Sequence, residues 1–308
     1  MHIAIKKHAL ALGFDACGIA RADAVEPDAA SRYDRWIEQG KNGCMEWASR
    51  NCEVRNDPRR VLEGAQSVIV VALNYYPAVF QPAEAPQFAY YAYGQDYHNV
   101  LKRRLKQLAK FIEENVAGCR TRCCVDTVPL RERYWAQKAG VGFIGRNNAL
   151  IVPGRGSYFF LGILLTTVEF QPDAPCTATC GDCGACMAAC PTGALCDDST
   201  VDARRCLSCL TIEHRGELPA WVAGKMGQRA YGCDECQRCC PHNRHAKPCT
   251  DPDLQPGEEF LALTAERILQ MSDDDFRRIF GHSAVRRAGL EGLQRNVRCM
   301  LAGQHFQP

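Results

Sequence analysis

Runs of apolar and polar residues divide this chain into helices, strands and loops. His2 to Leu12 reads as a helix closed by Gly13, followed by a short strand over Ala16–Ile19. Ser67-Val68-Ile69-Val70-Val71-Ala72-Leu73 is continuously apolar and rich in β-branched residues, the pattern of a buried strand. Residues 77–88 carry Pro77, Pro82 and Pro86 and read as a loop. From His98 to Asn115, Val100, Leu101, Leu105, Leu108 and Ile112 fall on one helical face. Lys102, Arg103, Arg104, Lys106 and Lys110 fall on the opposite face, which is ordinarily a solvated one, with RNA contact as the alternative.

Val125–Thr127 reads as a strand end, and Pro129 opens a helix that runs through Ala139 to Gly140. A glycine-punctuated loop, Gly142–Asn147, follows. Ala149–Val152, the turn Pro153-Gly154-Arg155-Gly156 and Tyr158–Thr167 then predict a β-hairpin. Helical patterns return at Phe260–Met271, Asp273–Phe280 and Ala284–Leu301. The fold class expected is α+β: an α/β domain over residues 1–170, a separate segment over 171–250 and a helical tail over 251–308. No repeat or low-complexity stretch interrupts this order.

Composition changes the picture at one point. The chain has 308 residues, 46% hydrophobic and 23% charged, with a formal net charge of +2, so it is neither disordered nor a polybasic nucleic-acid binder as a whole. It carries 20 cysteines. Gly13 and Asp15 break the first apolar stretch before a signal peptide would be complete, and no apolar run reaches membrane-spanning length. A cytoplasmic location without membrane contact is expected, where disulfides rarely persist. Thirteen of the cysteines lie between Cys176 and Cys249, a clustering that points to metal ligation.

Cys180-x2-Cys183-x2-Cys186-x3-Cys190-Pro191 has the spacing of a bacterial two-cluster ferredoxin. Three thiolates at such gaps wrap one cubane, while the fourth, turned away before proline, ligates the other. Gly181, Gly184, Ala185 and Ala188 leave room for backbone amides to approach the sulfurs. The second run, Cys233-x2-Cys236-x3-Cys240-Pro241, lacks its third cysteine unless Cys239 serves or Cys206 is supplied from upstream. The assignment taken here places Cys180, Cys183, Cys186 and Cys240 on one 4Fe–4S cluster, and Cys190, Cys206, Cys233 and Cys236 on the other. Cys176, Cys196, Cys209, Cys239 and Cys249 are read as free thiols. Structural zinc in an RNA-binding protein is the bland alternative, and it predicts a colourless, redox-silent sample. Gly140-x-Gly142-x-x-Gly145 spells a dinucleotide fingerprint but follows a helix rather than a strand, so it is set aside.

The ordered set of motifs resembles the tRNA epoxyqueuosine reductases. It comprises Arg55-Asn56-Asp57-Pro58, Tyr93-Gly94-Gln95-Asp96-Tyr97-His98, Val125-Asp126-Thr127 and Lys138 to Gly145, then Gly156 to Gly162, Arg205 to Gly216 and Tyr231 to Cys236. The resemblance implies a nitroreductase-like N-terminal domain that binds cobalamin beside a ferredoxin-like domain with two 4Fe–4S clusters. It implies reduction of the epoxide of epoxyqueuosine at the wobble position of a tRNA, by a monomer supplied by a low-potential electron donor. It also implies Asp126 as the catalytic acid, with a helix N-cap as that residue's ordinary reading. A general acid near neutral pH needs a raised pKa, and burial beside an apolar corrin would raise it.

Arg55, Asp96, Tyr97, Asp126, Ser157 and Thr211 are the expected cofactor contacts, each also compatible with a loop or capping role. The corrinoid-ligating pattern D-x-H-x-x-G is broken by Leu101, so histidine-ligated cobalt is not expected. Arg204, Arg205, Arg215, Lys225 and Arg229 hold tRNA phosphates or balance cluster charge. Many members carry a longer helical-repeat C-terminus, whereas this sequence stops at Pro308, and Cys209, Cys239 and the Cys119–Cys124 loop are extra thiols relative to the family. Rival readings are a reductive dehalogenase-like enzyme and a non-catalytic iron–sulfur electron-transfer module, the latter predicting iron without cobalt.

Overall fold

In a computed structural model describing residues 1–304, the apolar run at Ser67 is a central strand. The strands in chain order are β1 (Ala16–Arg21), β2 (Ser67–Asn74), β3 (Gln87–Phe88), β4 (Thr121–Cys124), β5 (Phe143–Ile144), β6 (Leu150–Ile151), β7 (Phe159–Thr166) and β8 (Arg229–Tyr231). The main sheet has the order β1-β2-β7-β4, and every pairing in it is antiparallel. Val70 pairs with Ile163 at the middle of β2 and β7. Both strands are buried at seven of their eight residues because both faces of the sheet are covered.

On one face, Ile69, Val71 and Leu73 meet Ile5 of the first helix and Leu101, Leu105, Leu108 and Ile112 of the Tyr97–Asn115 helix. Of its basic residues, Arg103, Lys106 and Lys110 are exposed, whereas Lys102 is half-buried and Arg104 is largely covered in an ion pair with Asp251. On the other face, Val68, Val70 and Ala72 pack with Trp135 and Ala136 of the Glu132–Lys138 helix. Gly18 of β1 permits this approach, since a Cβ there would stand 2.0 Å from the Ala139 carbonyl oxygen.

A third core joins distant parts of the chain. Phe88 and Tyr93 pack with Leu207, Leu210 and Tyr231 of the cysteine-rich segment and with Phe260, Phe280, Leu293 and Val297 of the tail. Strands β3 and β8 pair in parallel across the same junction. Arg295 is buried there without a carboxylate and donates instead to the His214 and Gly216 carbonyls and to Asn296 Oδ1. The tail therefore shares its hydrophobic core with the cysteine-rich segment and with the loop around β3.

Several predicted elements move. The hairpin at 149–167 does not form: β6 pairs with β5, while β7 is taken into the main sheet between β2 and β4. Only a single bridge, Val152 to Gly156, remains of the local pairing. Long-range burial of Phe160–Thr166 on both faces of the sheet outweighs the turn signal at Pro153-Gly154. The helix expected from Pro129 starts at Glu132, and Asp126 lies outside it. The Phe260–Met271 pattern splits into Glu258–Leu261 and Ala265–Leu269, and the last helix begins at Gly289 after a single 3-10 turn at Ala284–Arg287. A helix over Pro27–Glu38 is additional to the predicted elements. No helix among the described residues is long and apolar enough to cross a membrane.

Candidate active site and cluster ligands

The Tyr97–Asn115 helix begins at the sheet edge with Asp96 as its cap. The Asp96 carboxylate accepts the His98 backbone N–H at 3.0 Å and also meets His98 Nδ1 at 2.6 Å. The chain leaving β4 turns at Asp126, whose φ of 47° is left-handed and unusual for a residue with a side chain. This turn presents Oδ2 of Asp126 to the Tyr97 hydroxyl at 3.1 Å and to His98 Nε2 at 3.2 Å. The Asp126 amide donates to Glu132 Oε1 at 2.7 Å. Tyr97 is clamped between His98 and Phe160 of β7, stacked on the latter at 4.4 Å and 4°. Asp96, Tyr97, His98, Asp126 and Glu132 thus form one connected group, and Asp126 is not a helix cap.

Its electrostatics differ from the sequence expectation. Burial raises the Asp126 pKa, but the hydrogen bond and charge of His98, the Tyr97 hydroxyl and Arg133 outweigh it and hold the carboxyl below its ordinary value. Water reaches this carboxylate, whose side chain is 56% exposed, so desolvation is incomplete. The protein groups alone thus hold Asp126 low, and a raised pKa would have to come from a corrin beside it. Burial lowers the His98 pKa, yet its hydrogen bonds to Asp126 and Asp96 dominate and push it up to about 9. Glu132 is pushed up to about 8, first by burial and then by the Asp126 charge. At neutral pH the protons sit on His98 and Glu132, on either side of an ionised Asp126. Sequence reading missed both residues as proton holders. His98 lay within a quoted motif, whereas nothing local marks Glu132.

The other expected cofactor contacts are placed differently. Ser157 is buried, and its Oγ accepts from Asn243 at 3.0 Å and from Gln237 at 3.1 Å. Thr211 is buried, with Oγ1 donating to the Leu207 carbonyl at 2.7 Å and accepting from the Gly232 amide at 2.9 Å. Both side chains join segments of the protein, and their hydrogen bonds are used internally. Arg55 folds back on its own loop, with Nη2 donating to the Trp47 carbonyl at 3.1 Å. Next to it in sequence Asn56 Oδ1, and nearby Arg131 Nε and Nη2 and Trp135 Nε1, are buried without hydrogen-bond partners. These orphaned donors and acceptor suit a ligand rich in amides, as a corrinoid is.

The cysteines fall into two adjoining groups, with Cys239 beside Cys186 and Cys240 in the first and Cys236 of the second near enough to Cys186 to feel it. Burial raises the Cys186 thiol, and Cys180 and Cys240 beside it raise it further. In the second group burial raises Cys236, reinforced by Cys233 and Cys206, while Cys206 feels Cys190. Cys190 is raised by burial but lowered overall by backbone amides, among them Ala194 N at 3.2 Å from its sulfur. Amides aimed at a sulfur favour the thiolate that iron needs. Cβ atoms added at Gly181 or Gly184 would meet nothing within 4 Å, which leaves open space beside the first run. Among the described residues no three His, Cys, Asp or Glu side chains converge as ligands of a single metal ion.

A cysteine-rich segment that shares a core with the loop leading to the carboxylate–imidazole group has the make-up of an iron–sulfur oxidoreductase. Residues 179–243 match the 4Fe–4S double cluster binding domain, and residues 55–127 match the family described as epoxyqueuosine reductase QueG, DUF1730. The epoxyqueuosine reductase of Cellulophaga algicola is 40% identical over 293 residues, covering 95% of both chains. That of Gloeobacter violaceus is 43% identical over 303 residues, covering 96% of this chain and 94% of its own. A crystal structure of an epoxyqueuosine reductase with a tRNA-Tyr epoxyqueuosine-modified stem loop matches with a TM-score of 0.88 at 32% identity, covering 98% of this chain and 81% of that one. A Bacillus subtilis epoxyqueuosine reductase, described with its aspartate catalytic loop swung out of the active site, matches with a TM-score of 0.89 at 32% identity, over 98% and 81% of the two chains. The chain belongs to the epoxyqueuosine reductase family.

Proposed function

We propose that this protein reduces epoxyqueuosine to queuosine at the wobble position of tRNA, with cobalamin bound beside Asp126 and two 4Fe–4S clusters supplying electrons. The observation that carries this reading is the Asp96–His98–Asp126 group with Tyr97, presented at the sheet edge of a double-cluster protein. Converting an epoxide to an alkene and water consumes two electrons and two protons. Cobalamin, when bound, supplies a low-valent metal centre able to take electrons singly and act on the epoxide carbon. Asp96, Tyr97 and Asp126 are proposed to face it, with Arg55 and the unpartnered Asn56, Arg131 and Trp135 atoms on the adjoining wall. Ser157 and Thr211 are proposed to act indirectly, by fixing that wall to the cluster segment.

This chain's own residues manage the protons. Asp126, ionised at rest, takes a proton from the His98 imidazolium, which Asp96 holds in place, and passes it to the departing oxygen. Glu132, protonated near neutrality and bonded to the Asp126 backbone, stands ready with the second. The swung-out aspartate loop of the Bacillus subtilis relative supports a loop that moves with the catalytic cycle. The ligand sets are proposed as assigned above: Cys180, Cys183, Cys186 and Cys240 for one cluster, Cys190, Cys206, Cys233 and Cys236 for the other. So are the layout of a nitroreductase-like domain over 1–170, a ferredoxin-like domain over 171–250 and a helical tail over 251–308. A monomer acting in the cytoplasm with a low-potential electron donor completes the reading.

The test is anaerobic purification, reconstitution with iron, sulfide and cobalamin, and nucleoside analysis of epoxyqueuosine-containing tRNA by mass spectrometry. The wild type yields queuosine, whereas Asp126→Asn retains cobalt and iron and loses turnover by about 10²–10⁴-fold. Normal turnover in the variant overturns the acid assignment. Failure of the wild type to hold any corrinoid overturns the cofactor assignment and leaves an electron relay.

A further inference from the structure

Two of the thiols that the cluster assignment leaves free meet across the protein. Cys44 lies in the loop after the Pro27–Glu38 helix and is exposed, whereas Cys209 is buried on the Leu207–Ile212 helix. Their sulfurs are 3.6 Å apart. The contact is built from both sides. Trp36 Nε1 donates to the Val201 carbonyl at 2.7 Å, the Ala203 amide donates to the Lys41 carbonyl at 2.8 Å, and Lys41 pairs with Asp198 at 3.0 Å. Gly43 comes so close to Arg204 that a Cβ would stand 3.2 Å from its backbone nitrogen. The 36–45 segment is thus laid along residues 198–209 and holds Cys44 against Cys209.

Cys209 is three residues from Cys206, and its backbone amide is directed at the Cys206 sulfur. We propose that Cys44 and Cys209 are a reversible disulfide site that, when oxidised, latches the 40–45 loop to the helix following ligand Cys206. A disulfide bond of about 2.05 Å requires the sulfurs to close by roughly 1.5 Å. The exposed Cys44 loop can supply that movement, with Gly40 and Gly43 in left-handed conformations on either side of its turn. The oxidant is a low-molecular-weight disulfide. Its sulfur–sulfur bond breaks as Cys44 forms a mixed disulfide and releases one thiol. Cys209 then attacks the Cys44 sulfur, forming the internal bond and releasing the second thiol. The pair loses two electrons and two protons, and the two released thiols carry them. Excess thiol reverses both steps, as expected of a transient disulfide in a reducing compartment.

The experiment uses anaerobic holoenzyme and oxidised glutathione, with free thiols then alkylated and the protein digested without reduction. The expected product is a cross-linked peptide pair joining Cys44 to Cys209, two hydrogens lighter than the separate peptides, formed with the iron content unchanged and lost on adding thiol. Oxidised wild type should then yield iron to a chelator about tenfold more slowly than reduced wild type, at the low end of what a loop-closing cross-link supplies. Cys44→Ser, altered only at an exposed position, should show the same rate in both states. Glutathione on Cys44 without the internal cross-link overturns the site. A cross-link that leaves iron loss unchanged overturns the latch. The latch rests on Cys206 being a ligand, but the cross-link does not, so failure of the cluster assignment is distinguished by the cross-link persisting alone.

Discussion

Replacing His98 with glutamine tests where the proton is stored. The imidazole bridges Asp96 at 2.6 Å and Asp126 at 3.2 Å, and these carboxylates push its pKa up to about 9. At pH 7.5 a group titrating near 9 is about 97% protonated, whereas an ordinary histidine near 6.5 is about 9% protonated, so the site gains roughly tenfold in loaded proton. Glutamine keeps some hydrogen bonding but carries no titrating proton. His98→Gln is expected to slow single-turnover reduction at pH 7.5 by about 10–100-fold, below the full value of a general acid because Asp126 remains. The assay is pre-reduced enzyme mixed with epoxyqueuosine tRNA over pH 6–10. The active form has His98 charged, so the wild-type rate should fall as pH rises through about 9, and the variant should lack that descent.

Stability follows the same sign. The folded pKa lies above the unfolded one, so the charged triad's contribution is complete below about pH 6.5 and disappears as pH rises through about 9. Solvent screening at the 56% exposed Asp126 reduces that contribution to about 1–2 kcal/mol. A His98→Gln rate within twofold of wild type, with an unchanged alkaline descent, refutes the proton store.

Glu132→Gln should preserve the acceptor for the Asp126 amide but remove a rate transition near pH 8, measured in the same profile. On the proposed ligand sets, which share no cysteine, Cys206→Ser should reduce iron content by about half, with the other cluster's electron-paramagnetic signal retained. Gly18→Ala should lower stability by about 1–3 kcal/mol in thermal melts, since its Cβ would stand 2.0 Å from the backbone oxygen of Ala139.

The parts legible in the sequence are those written locally. Ser67–Leu73 and the 98–115 helix were recognisable because their apolar periodicities are long and uninterrupted, and the structure keeps both. The cysteine run was legible for the same reason, its meaning residing in gaps of two and three residues. The hairpin at 149–167 failed because Phe159–Thr166 finds its partners in β2 and β4, far away in sequence. His98 was passed over because its second carboxylate, Asp126, lies 28 residues away. Ser157 and Thr211 sit at buried joints, a setting the sequence does not disclose because a small hydroxyl side chain looks the same there and at a cofactor wall.

The shared core of Phe88, Tyr231 and Val297 makes the cysteine-rich segment and the Gly289–Gln304 helix lean on one another. Trimming an apolar side chain on that helix would therefore loosen the scaffold of the thiolates without touching a sulfur.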